Sequence, residues 1–316
     1  MSRYNLTGCC ALFGAISALL ALSSAAMGNT LLFSDNFNTT TYSTDVNNGI
    51  GTPGNGRTAG KYETATYLQN TEQRYYGGSY YSPPIYIGEE LYSYSDLRMG
   101  NGTTIPYRPF VWLNRNLNGA DSVGGLDITF HAYINPTSAP SGSYSSWIAL
   151  GVGGDAAGSD TTYYPLSGTN AKALTIALRA GTGTKPYKSS PCEIFVWENG
   201  ASVMITPTPT WSSSAVGDQW HDWLFKIRGV GDNNPFDGSG AVNVKLYVDG
   251  GTTEVFSYTT TSAKVWSNNY VALESDAESK TLIDSWSITQ IPEPSALALL
   301  GCGLIGLLAY AWRRRR

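Results

Sequence analysis

The sequence predicts an all-β fold, a sandwich or barrel of short strands, and three observations predict it. Only 14% of the 316 residues are charged, while Gly numbers 35 and Tyr 21, a composition of strands and tight turns rather than helices. Apolar residues alternate with polar ones over short runs between Gly, Pro, Asn and Asp clusters, and no stretch of a dozen residues keeps a helical period. With 42% hydrophobic residues and nine Trp, the chain can bury a substantial core.

The elements follow in order. Leu31 to Phe37 supplies a first strand, and residues 40–120 yield no assignable series. Leu126, Ile128, Phe130, Ala132 and Ile134 then alternate as one face of a strand, and Trp147 to Val152 forms a short apolar run bounded by Ser and Gly. Leu174, Ile176 and Leu178 repeat the alternation. Ile194 to Trp197 leads into Asn199-Gly200, a hairpin turn signal, so Val203 to Ile205 returns beside it. His221, Trp223, Phe225 and Ile227 share one face, as do Val242, Val244, Leu246 and Val248. Asp249-Gly250-Gly251 turns the latter strand into Val255 to Tyr258, and Val271 to Leu273 and Leu282 to Ile288 complete the set.

Both ends of the chain are addresses. Positions 11–26 read ALFGAISALLALSSAA behind Arg3 and the amino terminus, which predicts a signal peptide over 1–28. Ser24 and Ala26 suit cleavage before Met27, and Ala26 and Gly28 suit a cut two residues later. Leu6-Thr7-Gly8-Cys9 is preceded by too few residues to work as a lipidation box. At the other end, Ser295 to Trp312 runs 18 residues without a charge, about 27 Å as a helix and close to the ~30 Å hydrocarbon core. Arg313, Arg314, Arg315 and Arg316 follow and belong on the cytoplasmic side. Pro292-Glu293-Pro294 stands just before the apolar run, an extended segment that holds one carboxylate accessible.

Pro-Glu-Pro, a short Gly- and Leu-rich apolar helix and a terminal arginine cluster, in that order, resemble the PEP-CTERM sorting signal. The resemblance covers 291–316. It implies export by the Sec translocon across the inner membrane of a Gram-negative-type bacterium, transient membrane anchoring, and handling by exosortase. The destination it implies is the cell surface or an exopolysaccharide matrix.

Residues 29–290 therefore form one exported domain of 262 residues. Between 29 and 292 lie 15 basic and 23 acidic residues, about −8 in all against −4 for the whole chain, a charge that argues against a nucleic-acid partner. Of the four Cys, Cys9 and Cys10 leave with the signal and Cys302 sits in the tail, so Cys192 stands alone and no intramolecular disulfide forms.

A second resemblance rests on Trp220-His221-Asp222-Trp223-Leu224-Phe225-Lys226-Ile227, on Val244-Lys245-Leu246-Tyr247-Val248-Asp249-Gly250, and on Leu282-Ile283-Asp284-Ser285-Trp286-Ser287-Ile288. This succession resembles the last third of a laminin-G or concanavalin-A-like jelly roll. It implies a two-sheet sandwich in which the first strand, from Leu31, lies beside the last.

Candidate sites are few. Glu274-Ser275-Asp276-Ala277-Glu278 has the Glu-x-Asp-x-Glu spacing of retaining jelly-roll glucanases, which would put Glu274, Asp276 and Glu278 on one strand face. Small and polar neighbours instead suggest a solvated loop, so no catalytic residue is assigned and a glycoside hydrolase or lyase is the alternative reading. Asp232, Asn234 and Asp237 offer hard oxygen ligands suited to Ca²⁺, although Asp and Asn are also ordinary turn formers. Tyr75, Tyr76, Tyr80 and Tyr81 crowd a Gly- and Ser-rich stretch and could stack on sugar rings. His221, among Trp220, Trp223 and Phe225, reads as a packed strand histidine. No H-E-x-x-H, Gly-x-Ser-x-Gly, P-loop or paired C-x-x-C occurs. The expectation is a non-enzymatic surface or matrix protein that binds a carbohydrate or matrix component, with a structural coat role as a further alternative.

Overall fold

The computed structural model describes residues 29–37, 47, 60–62, 65–69, 74–76, 79–81, 85–87, 97–99, 109–135, 146–154, 174–180, 192–198, 201–205, 219–231, 234–236, 240–260, 269–275, 280–292, 303, 305–308, 310, 313 and 314, less the side chains of some strand positions. In chain order the strands are β1 (Thr30–Asp35), β2 (Tyr67–Gln69), β3 (Arg74–Tyr76), β4 (Ser79–Tyr81), β5 (Ile85–Ile87) and β6 (Leu97–Met99). β7 (Phe110–Leu113), β8 (Leu126–Asn135), β9 (Ser146–Gly154), β10 (Leu174–Ala180), β11 (Cys192–Glu198) and β12 (Ala201–Ile205) follow. The last are β13 (Trp220–Gly229), β14 (Val242–Val248), β15 (Phe256–Thr259), β16 (Tyr270–Ser275) and β17 (Lys280–Gln290).

Two antiparallel sheets carry the fold. One has eight strands in the order β15-β14-β13-β8-β17-β6-β5, with β1 also on β17. β1 and β6 share one flank of β17, because β1 pairs with residues 286–290 and β6 with 281–283. The other sheet has seven strands in the order β12-β11-β10-β9-β16-β7-β2. The expected neighbourhood of the first and last strands is present, with Thr30 opposite Gln290 and Asp35 opposite Trp286.

Alternation explains why the sheets pack. On β8 the core takes Leu126, Ile128, Phe130, Ala132 and Ile134, on β13 it takes Trp223, Phe225 and Ile227, and on β14 Val242, Val244, Leu246 and Val248. From the seven-stranded sheet it takes Val111, Leu113, Ile148, Leu150, Val152, Leu174, Ile176, Leu178, Ile194, Val196, Val271 and Leu273. Burying one such aliphatic or aromatic side chain stabilises by about 1.5–3 kcal/mol. The β1 end is closed by aromatic rings. Tyr67 stacks on Trp286 with centroids 5.8 Å apart, and Phe33 meets both edge-on at 5.7 and 5.8 Å.

Residues 40–120, which gave no sequence signal, contribute β2 to β7. β2 to β6 have three residues each, too short to display a period, and pairing rather than pattern defines them. The Asp249-Gly250 turn is as expected. Both residues have positive φ, 53° and 68°, and the Gly251 amide donates to the Val248 carbonyl at 2.9 Å, as a tight hairpin turn requires.

The signal peptide lies outside the described residues. In the tail, residues 303, 305–308, 310, 313 and 314 are helical, and Leu307, Leu308 and Tyr310 are exposed there. No helix among the described residues is long and apolar enough to cross a membrane, so the expected terminal helices are not established as spans.

Candidate functional site

The two sheets differ on the faces turned away from the shared core. On the seven-stranded sheet, pairing sets Phe110, Glu274, Ala149, Ala177 and Phe195 in one row across β7, β16, β9, β10 and β11. The next row is Trp112, Ala272, Gly151, Thr175 and Trp197. Bulky rings stand at both flanks and small residues in the middle. The rings form two separate clusters, Phe110, Trp112, Ala272 and Tyr270 on one side and Trp147, Ala149, Ala177, Phe195 and Trp197 on the other. By side-chain size this leaves a shallow trough over Ala149, Gly151, Ala177 and Thr175, closed at one end of β9 by Trp147. Its floor is buried, whereas Tyr270, Phe195 and Trp197 are half-buried.

Glu274 sits in this trough by strand alternation, since Val271 and Leu273 face the core and Ala272 faces the rings. It is fully buried, which corrects the expectation of a solvated loop. Strand pairing sets Glu274 between Phe110 of β7 and Ala149 of β9, surroundings that its neighbours in sequence do not show. The neighbouring Ser275 faces inward, where its hydroxyl donates to the Trp147 carbonyl at 3.1 Å and pairs with Thr281 at 2.8 Å. Asp276 and Glu278 lie outside the described residues. Strand pairing of β16 ends at Ser275, and the chain is next in a strand at Lys280, in the other sheet. Within the two rows Glu274 is the one carboxylate. In the next row, the buried Nε1–H of Trp112 has no hydrogen-bond partner among the described residues, and a buried donor of this kind is stabilised by any acceptor that enters.

The tyrosines predicted to stack on sugars lie on the separate two-stranded pair β3 and β4, with Tyr75 opposite Tyr80 and Tyr76 opposite Ser79. Their side chains lie outside the described residues. Of the calcium candidates, Asp232 and Asp237 also lie outside them, and Asn234 is committed elsewhere. Its Oδ1 accepts from the Ser122 hydroxyl at 2.6 Å and the Phe236 amide at 3.1 Å, while its Nδ2 donates to the Gly119 carbonyl at 2.9 Å. Asn234 is thus a latch between two loops, and its carbonyl has no lone pair left for a cation. Among the described residues no group of three or more His, Cys, Asp and Glu side chains converges. His221 is the packed strand histidine expected, buried, edge-on to Trp223 at 5.7 Å, with Nδ1 2.8 Å from Asp249 Oδ2.

The eight-stranded sheet presents a different outer face, made of polar pairs. Arg228 reaches Asp127 at 2.6 Å, Thr129 meets Ser287 at 2.5 Å, and Lys245 meets Glu254 at 2.8 Å. His131 Nδ1 is 2.6 Å from Asp222 and its ring stacks on Trp220 at 5.0 Å.

A third polar cluster fastens the chain around β1. Asp121, fully buried in the 3-10 turn Gly119–Asp121, accepts from Lys61 Nζ at 2.5 Å, the Tyr62 hydroxyl at 2.6 Å and the Asn118 amide at 3.0 Å. Burial by itself pushes this carboxyl up, but the bonds from Asn118, Lys61 and Tyr62 outweigh it and hold the group below its ordinary value. The same bond to Asp121 is the main cause that raises Lys61. At the far edge, burial and then the Glu198 carboxylate, 2.7 Å away, push the Tyr258 hydroxyl up.

Among the described residues the chain is a two-sheet antiparallel sandwich, followed by a C-terminal segment with its own likeness to known proteins. Residues 290–316 match the PEP-CTERM protein-sorting motif, including Pro292, Glu293, Pro294 and Arg313 to Arg316. No curated protein matches the chain. Similar solved structures include lectin II from Ulex europaeus, at 10% identity and a TM-score of 0.42, covering 71% of this chain and 93% of that one. The VIP36 exoplasmic/lumenal domain in its Ca²⁺/Man-bound form is 10% identical over 73% of this chain and 85% of that one, with a TM-score of 0.39. The metal-free Emp46p carbohydrate recognition domain is 12% identical over 70% and 87%, with a TM-score of 0.38. The overlaps are loose, and the two-sheet architecture rests on the strand pairing above.

Proposed function

We propose that this protein is an exported, non-enzymatic carbohydrate-binding protein, delivered through its sorting tail, that holds its ligand on the outer face of the seven-stranded sheet. The observation that supports this reading is the trough between two aromatic clusters. Sugar rings present flat C–H faces and a rim of hydroxyls, so a site for them needs aromatic surface with a few convergent polar groups. Tyr270 on one side and Phe195 and Trp197 on the other supply half-buried rings. Three inter-strand steps separate β16 from β11, about 14 Å. On the β16 side of this span, the Glu274 carboxylate and, from β7, the Trp112 N–H are buried polar groups that a ligand seated in the trough would hydrogen-bond.

Glycoside hydrolysis on such a sheet uses a pair of carboxylates, and a hydrolase is the alternative reading of this face. Delivery runs through the Sec translocon and exosortase to the cell surface or matrix, and a polysaccharide is the ligand class. The tyrosine hairpin and a calcium ion held by Asp232 and Asp237 remain additional candidates within this reading.

The test is direct. The exported protein is screened on a glycan array and titrated calorimetrically with the polysaccharide it retains, beside Trp197→Ala and Glu274→Gln. The expected result is at least a tenfold loss of affinity in each variant, about 1.4 kcal/mol, with the fold intact by circular dichroism. Unchanged binding in both variants would remove the trough as the site. Release of reducing sugar by the wild type would establish the hydrolase instead.

A further inference from the structure

We infer that the end of the sandwich from which β17 departs is a lipid-facing surface, seated on an anionic bilayer while the sorting tail holds the chain there. The inference rests on the tail acting as a transient membrane anchor. It goes further by fixing which face meets the membrane.

The geometry begins with the length of chain available. β17 ends at Gln290, and the Ile291 amide is still tied to the fold, donating to the Gly125 carbonyl at 2.9 Å. The uncharged run begins at Ser295. Four residue steps extend at most about 14 Å, and the polar layer on one side of a bilayer takes up about 5–8 Å of that. A domain tethered so closely cannot stand clear of the headgroups. β1 starts at the same end, with Thr30 opposite Gln290, so both addresses of the chain join the sandwich at one point.

The side chains there suit a lipid surface. Among the described residues of the sandwich, the exposed large hydrophobics are Val123, 37% exposed, and Val230, 51% exposed. Val123 lies in the 119–125 turn that Ile291 and Gln290 bond to, through Gly125 and Ala120. Val230 follows β13 at the same end, and the Ser122–Asn234–Gly119 latch joins its loop to that turn. Lys61, its side chain 46% exposed, and the exposed Arg115 flank the turn, one bonded to Asp121 and the other to the Tyr62 hydroxyl at 3.3 Å. With Lys61 neutralised by Asp121, Arg115 is the cation beside the two valines that complements anionic headgroups above an apolar layer. The opposite end, where β14 turns at Asp249, presents exposed Gly250, Gly251, Thr252 and Thr253.

The test uses the full chain, with its four native cysteines replaced by serine, reconstituted into phosphatidylethanolamine and phosphatidylglycerol vesicles that carry doxyl-labelled lipid. An environment-sensitive fluorophore is placed at Val123→Cys, Val230→Cys or, as the far-end control, Thr252→Cys. Flotation with the vesicles scores anchoring separately. The expected result is flotation of all three, with quenching at 123 and 230 at least about threefold that at 252. A ten-residue Gly-Ser insertion after Ile291 should keep flotation and bring quenching at 123 and 230 down to the level at 252. Flotation with equal quenching at all three positions overturns the inference and leaves anchoring standing. Failure to float overturns both, and quenching that survives the insertion overturns the argument from tether length.

Discussion

The two outer faces of the sandwich place their polar groups differently. On the eight-stranded sheet, Asp127 and Arg228, and Lys245 and Glu254, neutralise each other within hydrogen-bond distance near solvent, and His131 lies within that distance of Asp222. Water screens such pairs, so each adds little and the face is tolerant. On the seven-stranded sheet, Phe110, Trp112, Trp147, Ala149, Thr175, Ala177 and Glu274 are buried on the face turned from the core. A face that has withdrawn rings and a carboxylate from water depends on its shape. The lesson is that in one sandwich the same backbone ladder supports one face built for solvent and one built for contact.

That contrast can be broken by substitution. Trp112→Ala should be the most damaging change, about 3–5 kcal/mol, because it empties one flank of the trough. Urea unfolding would measure it, and a loss below about 1 kcal/mol would mean that this face is not packed as described. Next comes Asp121→Asn, at about 2–3 kcal/mol, since it removes the charge that accepts from Lys61 and Tyr62. The sign with pH follows from the lowered Asp121 carboxyl. Its contribution is full above the unfolded carboxylate value and disappears as pH falls through the lower folded one. Wild type should therefore lose more stability than Asp121→Asn between about pH 4 and pH 2, and parallel pH profiles for the two would refute the assignment.

Gly125→Ala is expected to cost about 1–3 kcal/mol. Gly125 has φ +107°, and an added Cβ would stand 2.2 Å from Arg228 Cδ, so the long arginine can yield but the backbone strain stays. Thermal melting measures it, and because Gly125 accepts from Ile291, the variant should also loosen the junction with the tail. Smallest is Glu254→Gln on the solvent face, where Lys245, raised mainly by its bond to Glu254, lies in water. Its melting midpoint should match wild type, and a clear drop would show that the eight-stranded face is less tolerant than its exposure implies.

Much of this was legible in the chain. β8, β13 and β14 were readable because 7 to 10 residues in each follow an alternating pattern, long enough for period two to separate from chance, and β17 alternates only past the irregularity between Ile283 and Ser285. The three-residue strands between 67 and 99 were not readable, and neither was the placement of Glu274. Its neighbours in sequence are Leu273 and Ser275, whereas the residues that decide its surroundings, Phe110 and Ala149, come from β7 and β9. Asn234 shows the same limit. Its residue type suits a metal ligand or a turn equally, and only the approach of Ser122 and Gly119 made it a latch.

By itself, then, the sequence determined where the chain is addressed and what class of fold it takes. Those properties are written in contiguous patterns, a signal run, a Pro-Glu-Pro tail, an alternation of apolar residues, that local chemistry reads without partners. The tertiary structure alone decided which strands became neighbours, and with that the trough, the burial of Glu274 and the common exit of both ends. Strand pairing joins Glu274 to Ala149 and Phe110, 125 and 164 positions away, and no local pattern carries a register that long-range closure of the sandwich sets.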